Sequence, residues 1–124
     1  MKKDESIIIF KNDRIGDLMP AVAAINLIIN NNKDKKIIIF LSNINYKMKF
    51  LFEKKNVKII KIGYKLTILN RISILLFFLI NNISKVYIIR PKNFFFLLPF
   101  FFFYKKINFF ALCINAYNNY RRPI

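Results

Sequence analysis

The sequence predicts an α/β fold with a doubly wound parallel sheet, and two observations support that prediction. Short runs of Ile, Val and Phe, typical of strands buried on both faces, alternate with longer apolar segments of helical spacing. Strands and helices that alternate in this way form units whose strands pair in parallel. The 124 residues suffice for a single domain, and a hydrophobic content of 56% excludes intrinsic disorder.

Five strands are expected where β-branched runs are bounded by polar or turn-forming residues. The first two, SIIIFK and KIIIFLS, are the clearest, because their apolar runs are unbroken. The expected strands are Ser6–Lys11, Lys36–Ser42, Val57–Ile62, Lys85–Arg90 and Lys106–Cys113.

Four helices are expected between these strands. The first has Ala, Leu and Ile at helical spacing and ends in a cluster of Asn, and the last contains Pro99, which is expected to kink or break it. The expected helices are Leu18–Asn30, Tyr46–Lys55, Leu66–Asn81 and Asn93–Tyr104.

The two most apolar segments are too short to span a membrane, which takes ~20 apolar residues. Leu66–Ile80 also contains Arg71, and Phe94–Tyr104 contains Pro99, so both are expected to be buried helices of the domain. The apolar run near the N-terminus is too short for a signal peptide. The cytoplasm is therefore the expected location, with peripheral contact at the inner face of the cytoplasmic membrane left open.

The formal charge of +16 permits two interpretations. The Lys residues are scattered in pairs and form no long basic run, which favours an ordinary solvated surface. The other interpretation is attraction to an anionic membrane or to a phosphate-rich substrate.

Composition removes several classes of site. The chain has no His and a single cysteine, Cys113, which excludes a zinc finger, a Ser-His-Asp triad and an internal disulfide. Its two glycines, Gly16 and Gly63, cannot form a Gly-rich phosphate loop.

The turn after the first expected strand, Asn12–Pro20, is the place to look for chemistry, because open parallel sheets bind ligands beyond the carboxyl ends of their strands. A structural interpretation gives Gly16 a backbone conformation closed to other residues and makes Asp17 the N-cap of the next helix. A functional interpretation makes Asp17 a catalytic carboxylate, and both stay open at this point.

The segment IIIFKNDRIGDLMPAVAAINLI resembles the opening of glycosyltransferase family 9, the lipopolysaccharide heptosyltransferases. That family begins with an apolar strand, a polar turn, a Gly-Asp pair and a helix whose first turn carries Pro, and Gly16, Asp17 and Pro20 match it in spacing. The later segment KVYIIRPKNFFFLLPFF resembles the family's strand leading into an apolar helix. Arg90–Asn93 replaces the acidic and Gln-Gly residues that are usual there.

The resemblance implies the amino-terminal half of a GT-B glycosyltransferase, with a Rossmann-like sheet that receives the acceptor. A carboxyl-terminal domain, missing here, would bind an ADP-heptose-like nucleotide-sugar donor, so the 124 residues are expected to be a fragment, a split gene or a degraded reading frame, inactive alone. The reaction implied is inverting transfer to a lipopolysaccharide-core or related glycan, with Asp17 as general base and with no metal or cofactor.

Substrate-binding roles are expected for Lys11, Asp13, Arg14 and Gly16 around Asp17. Arg14 suits anionic acceptor groups, because a guanidinium pairs bidentately with phosphate or carboxylate.

Two further segments are weaker candidates. The Asn43–Tyr46 turn is expected to line the acceptor cleft, whereas Arg121–Pro123 fits either the cleft or a tail. The alternative to the transferase is a non-catalytic basic α/β module that binds an anionic membrane surface or nucleic acid.

Overall fold

A computed structural model describes residues 5–89 and 93–111, apart from the side chains of Ile15, Asp17 and Asn93. In these residues five strands form one all-parallel sheet in the order β3-β2-β1-β4-β5, which confirms the predicted α/β fold. The strands are β1 (Ser6–Lys11), β2 (Lys36–Ser42), β3 (Val57–Ile62), β4 (Ile83–Ile88) and β5 (Asn108–Ala111).

Strand β1 lies at the centre of the sheet, and all six of its residues are buried. It pairs with β2 from Ser6 beside Lys36 to Lys11 beside Leu41, and with β4 on its other edge. Because successive side chains of a strand point to opposite faces and all six are buried, both faces of β1 are covered. This explains why its sequence shows no alternation of polar and apolar residues.

Helices connect the strands and lie on both faces of the sheet. The α-helices are α1 (Ile15–Leu18), α2 (Val22–Asn31), α3 (Ile68–Ile80) and α4 (Asn93–Phe101), with 3₁₀ helices at Met19–Ala21 and Tyr46–Phe52.

Two hydrophobic cores lie on opposite faces of the sheet. Ile7 and Ile9 of β1 pack with α2 and the Tyr46–Phe52 segment, whereas Ile8 and Phe10 pack with α3 and α4. The second core is strongly aromatic: the ring of Phe10 stacks on that of Phe95, with centroids 4.1 Å apart. Alternate residues of one strand thus anchor the two helical layers.

The first helical region begins earlier than the sequence predicts. Gly16 and Asp17 lie within α1, so Asp17 is not the N-cap of a helix starting at Leu18. Pro20 has no N–H with which to continue an α-helical ladder, and the chain passes through a 3₁₀ turn before α2 begins. Gly16 has no positive φ, so its expected special backbone conformation is also wrong.

The other elements differ from expectation mainly at their ends. Helix α3 begins after Thr67, whose hydroxyl accepts a hydrogen bond from the Asn70 N–H at 3.1 Å. Helix α4 runs through Pro99 to Phe101 and is not broken there. Strand β4 begins and ends two residues early relative to the prediction. Arg90 and Cys113, the expected ends of the last two strands, lie outside the described residues.

Helices α3 and α4 are only half buried, although the sequence predicts buried helices. Each buries one side against the sheet and exposes large apolar side chains on the other, such as Leu69 and Phe100. Among the described residues, no helix has the length and apolar character needed to cross a membrane.

Candidate functional site

Buried polar side chains gather where β1 and β2 end, at the carboxyl edge of the sheet. This is also the edge at which the chain leaves β1 on its way to β2, while β4 lies on the other side of β1. The strand order therefore reverses at β1, with β2 and β3 on one side and β4 and β5 on the other. In open parallel sheets such a reversal marks the usual ligand site. We call the following residues the edge cluster: Lys11, Asn12, Asp13, Ser42 and Asn45.

Lys11 and Asp13 form a buried ion pair within this cluster. Lys11 Nζ lies 2.6 Å from Asp13 Oδ2, and the two side chains are 2% and 3% exposed. The ammonium and the carboxylate compensate each other's loss of hydration, which would be costly for either charge alone. Their first role in this structure is therefore to hold the turn after β1 in shape.

Ser42 and Asn45 fasten the loop after β2 to the turn after β1. The Ser42 hydroxyl donates to the carbonyl oxygen of Asp13 at 2.6 Å and accepts from the N–H groups of Ile44 and Asn45 at 3.1 and 3.0 Å. A hydroxyl has one proton to donate and two lone pairs, so these three contacts use it fully.

The Asn45 side chain completes the same network. Its amide nitrogen donates to the Lys11 carbonyl at 2.9 Å and to Asp13 Oδ1 at 3.3 Å, while its oxygen accepts from the Ser42 N–H at 2.7 Å. Both amide protons are used, one on backbone and one on the ion pair. The turns after β1 and β2 are thus locked together from the inside.

Asn12 extends the edge cluster towards β3. Its amide nitrogen donates to the Gly63 carbonyl at 3.1 Å, and its side chain is fully buried. Its Oδ1 has no hydrogen-bond partner within the described part of the chain. Such an orphaned buried acceptor is unusual in a folded protein.

Arg14 lies outside this buried layer. It is exposed, and its guanidinium carbon lies 6.0 Å from the ring centroid of Tyr64, which follows β3. The backbone N–H of Tyr64 in turn donates to Asn43 Oδ1 at 3.0 Å. The loops after all three neighbouring strands therefore meet around a cationic side chain at the surface.

Gly16 and Asp17 follow directly, in α1. Gly16 is exposed, and a Cβ added there would meet nothing within 4 Å. The Asp17 side chain lies outside the described part, as does the Arg121–Pro123 segment.

Of the residues that the sequence predicts as a site, Lys11 and Asp13 are brought together in the interior, whereas Arg14 and Gly16 lie at the surface beside them. Asn45, expected in a cleft-lining turn, is buried, while Asn43 and Ile44 of that turn are exposed.

Two members of the edge cluster, Asn12 and Ser42, were not predicted as site residues, although Asn12 begins the predicted turn. The signal that could have found them is positional, because each is a polar residue at the end of an apolar strand. Among residues 5–89 and 93–111, no group of three or more His, Cys, Asp or Glu side chains is placed to hold a metal ion.

Comparison of the chain with protein-family models, with curated proteins and with solved structures finds no match. The family resemblance therefore depends only on the two sequence segments quoted above, whereas the fold is shown by the structure.

Proposed function

We propose that this chain is the acceptor-side domain of an inverting glycosyltransferase that resembles the lipopolysaccharide heptosyltransferases. The observation that carries the proposal is the position of Gly16 and Asp17. They lie in α1, directly after the turn that leaves the central strand at the point where strand order reverses. This is where an open α/β sheet takes its ligand.

The proposed reaction is a single displacement. The acceptor hydroxyl oxygen forms a bond to the anomeric carbon of the donor sugar as the bond from that carbon to the diphosphate oxygen breaks. Asp17 takes the hydroxyl proton, and the nucleoside diphosphate leaves with the electron pair. A carboxylate beside the reacting carbon also favours the positive charge that develops on the sugar.

The edge cluster has a supporting role in this proposal. Lys11 and Asp13 are buried and paired, so they shape the turn that carries the reactive segment rather than contact the acceptor. Arg14 is the exposed cation next to that segment, and it is suited to a phosphate or carboxylate of the glycan acceptor.

The donor belongs to a different part of the enzyme. The family resemblance assigns the nucleotide-sugar, of the ADP-heptose type, to a second α/β domain that the 124 residues do not include. Transfer therefore requires that second domain, and the described domain supplies the acceptor site and the base.

Acceptor binding by the purified chain is the first test. Titration with a lipopolysaccharide-core oligosaccharide, followed by backbone amide NMR, is expected to shift signals of residues 12–18 selectively. Shifts confined to the opposite edge of the sheet, or no saturable binding, would contradict the proposal.

The role of the base is tested in an enzyme completed with a donor domain. Asp17→Asn should lower turnover by ~10²-fold or more, because the amide cannot accept the proton. Asp34→Asn is the matched control, since Asp34 precedes β2 at the other edge of the sheet and should leave turnover unchanged. Equal rates for both variants would remove Asp17 from the mechanism.

A non-catalytic basic module is the alternative, and the net charge of +16 favours it. Such a module would bind DNA or anionic vesicles with a steep salt dependence and would show no affinity for the oligosaccharide.

A further inference from the structure

The outward sides of α3 and α4 form an apolar surface. On α3 the exposed apolar residues occupy one helical stripe, because their spacing of three, four and one residues keeps them within about a third of the circumference. Leu69 is 75% exposed. The stripe consists of Ile68, Leu69, Ile72, Leu76, Leu79 and Ile80.

Helix α4 and the turn after it present a similar surface. Phe96, Leu97, Phe100 and Phe101 of α4 are exposed, and Phe103, just beyond it, is 82% exposed. A helix on the surface of a water-soluble domain normally directs polar residues outward. Here most of the exposed residues of both helices are apolar, and Arg71 and Ser73 are the exposed polar residues of α3.

The two helices lie side by side on the same face of the sheet. Near their first turns Arg71 of α3 lies 6.0 Å from the ring of Phe94, and near their last turns the rings of Phe78 and Phe102 stack at 5.3 Å. The two exposed stripes therefore belong to one continuous layer, which we call the α3–α4 face.

Basic residues border this face at both ends. Lys65 and Arg71 lie near the start of α3, while Lys105 and Lys106 follow α4. Lys105 Nζ donates to the Phe78 carbonyl at 2.6 Å, so its charge is held at the C-terminal end of α3. All six acidic residues occur at or before Glu53, and none belongs to α3, α4 or the segments that border them.

We propose that the α3–α4 face docks on the surface of a bilayer that contains anionic lipids. Large aliphatic and aromatic side chains would enter the boundary between headgroups and acyl chains, and the bordering Lys and Arg would meet the lipid phosphates. Long basic side chains suit this position, because their stems lie along apolar surface while the charge stays in water.

The charges around the α3–α4 face favour an anionic bilayer over a second copy of the chain or a nucleic acid. In a symmetric dimer through the same face, the basic borders of two chains of net charge +16 would be brought together and would repel. A nucleic acid would attract the basic residues but would leave the Leu, Ile and Phe side chains without an apolar partner. An anionic bilayer matches both the apolar stripe and its border.

The test is co-sedimentation of the whole chain with vesicles. Binding is expected to vesicles in which about a third of the lipid is phosphatidylglycerol and to be weak for pure phosphatidylcholine, because both surface charge and apolar burial contribute. Replacing Leu69, Leu76 and Leu79 together by Gln should weaken binding to the anionic vesicles at least about tenfold.

Two matched controls lie on the other face of the sheet. Leu27 in α2 and Phe50 in the Tyr46–Phe52 segment are each 61% exposed, so Leu27→Gln and Phe50→Gln should leave vesicle binding unchanged. Circular dichroism of each variant establishes that it is folded. Gln is a good helix former and the replaced side chains are exposed.

Three results would overturn the proposal. One is the absence of binding to anionic vesicles, and another is equal loss in the triple variant and the controls. The third is a dimer in solution that the triple variant converts to monomer, which would make the face an interface between copies. Oligosaccharide binding at residues 12–18 is measured separately, so this test and that of the transferase proposal can fail independently.

Discussion

Lys11 Nζ and Asp13 Oδ2 lie 2.6 Å apart in the interior of the protein. Only Asn12 separates the two residues in the sequence, at the end of the central strand. A charged pair is thus built into the turn that leads to the Gly16-Asp17 segment. Its charges are satisfied by each other and by the amide of Asn45, which lies 3.3 Å from Asp13 Oδ1. The pair makes the conformation of that turn depend on two residues that solvent hardly reaches.

Breaking this ion pair should be strongly destabilising. Lys11→Met or Asp13→Asn leaves an uncompensated charge in the interior, and each should lower the free energy of unfolding by ~3–5 kcal/mol. The double variant should lose less than the sum of the two, because no unpaired charge remains. Urea denaturation followed by circular dichroism measures all three.

A second ion pair gives the matched control. Lys35 Nζ lies 3.5 Å from Glu5 Oε1, with the side chains 25% and 29% exposed, so Lys35→Met should cost at most about 1 kcal/mol. Equal effects at Lys11 and Lys35 would show that burial of the first pair contributes nothing.

Asn45→Ala should also destabilise the chain, by ~2–4 kcal/mol. The substitution removes the acceptor of the buried Ser42 N–H and the donor to the Lys11 carbonyl, and each group left unpaired costs ~1–3 kcal/mol. Asn43→Ala, two residues away and exposed, loses only the bond from the Tyr64 N–H and should cost about 1 kcal/mol. Denaturation midpoints compare the two directly, and a larger effect at Asn43 would contradict the network described here.

The two glycines should respond in opposite directions to alanine. Gly16→Ala adds a Cβ that meets nothing within 4 Å, in a helical residue without positive φ, so stability should rise by ~0.5–1 kcal/mol. Gly63→Ala would bring a Cβ to 2.6 Å from the Lys65 carbonyl oxygen and should cost ~1–3 kcal/mol. Thermal unfolding of both variants distinguishes them. A destabilised Gly16→Ala would restore the special backbone role that the sequence first suggested.

Neighbouring residues of α3 provide a test of its orientation. Phe78 is fully buried and stacks on Phe102, so Phe78→Ala should cost ~3–5 kcal/mol. Leu79→Ala changes a side chain on the exposed stripe and should cost no more than about 0.5 kcal/mol. The same denaturation experiment reads both, and similar losses would mean that the outer side of α3 is packed.

The strands could be predicted closely because buried parallel strands have a distinctive composition. The first three have the bounds that the β-branched runs predict. Strand β4 begins earlier than predicted because Ser6 of β1 pairs with Ile83, and the Ser6 N–H donates to the Asn82 carbonyl. This tertiary contact starts the strand two residues before the predicted Lys85. The helical region around Pro20 differs for a local reason, the missing N–H.

The interior of the site could not be predicted in the same way. A Lys at a strand end is ordinarily solvated, and nothing local reveals that Lys11 is enclosed by a loop from another strand. Asn45 contacts Lys11 and Asp13 only because β1 and β2 end side by side. The position of Gly16 and Asp17 after the first strand was predictable, whereas the packing beneath them depends on the fold.

The central position of β1 has a consequence for synthesis of the protein. Strand β2 follows soon after β1 and pairs with one of its edges, but β4, which begins at Ile83, must emerge from the ribosome before the other edge is paired. Until then the segment Ile7–Phe10 presents free backbone groups and apolar side chains that invite pairing with other chains. Strand β1, which is fully buried in the folded protein, is thus prone to aggregation while the chain is being synthesised. Slow translation of the second half of the chain would lengthen that interval.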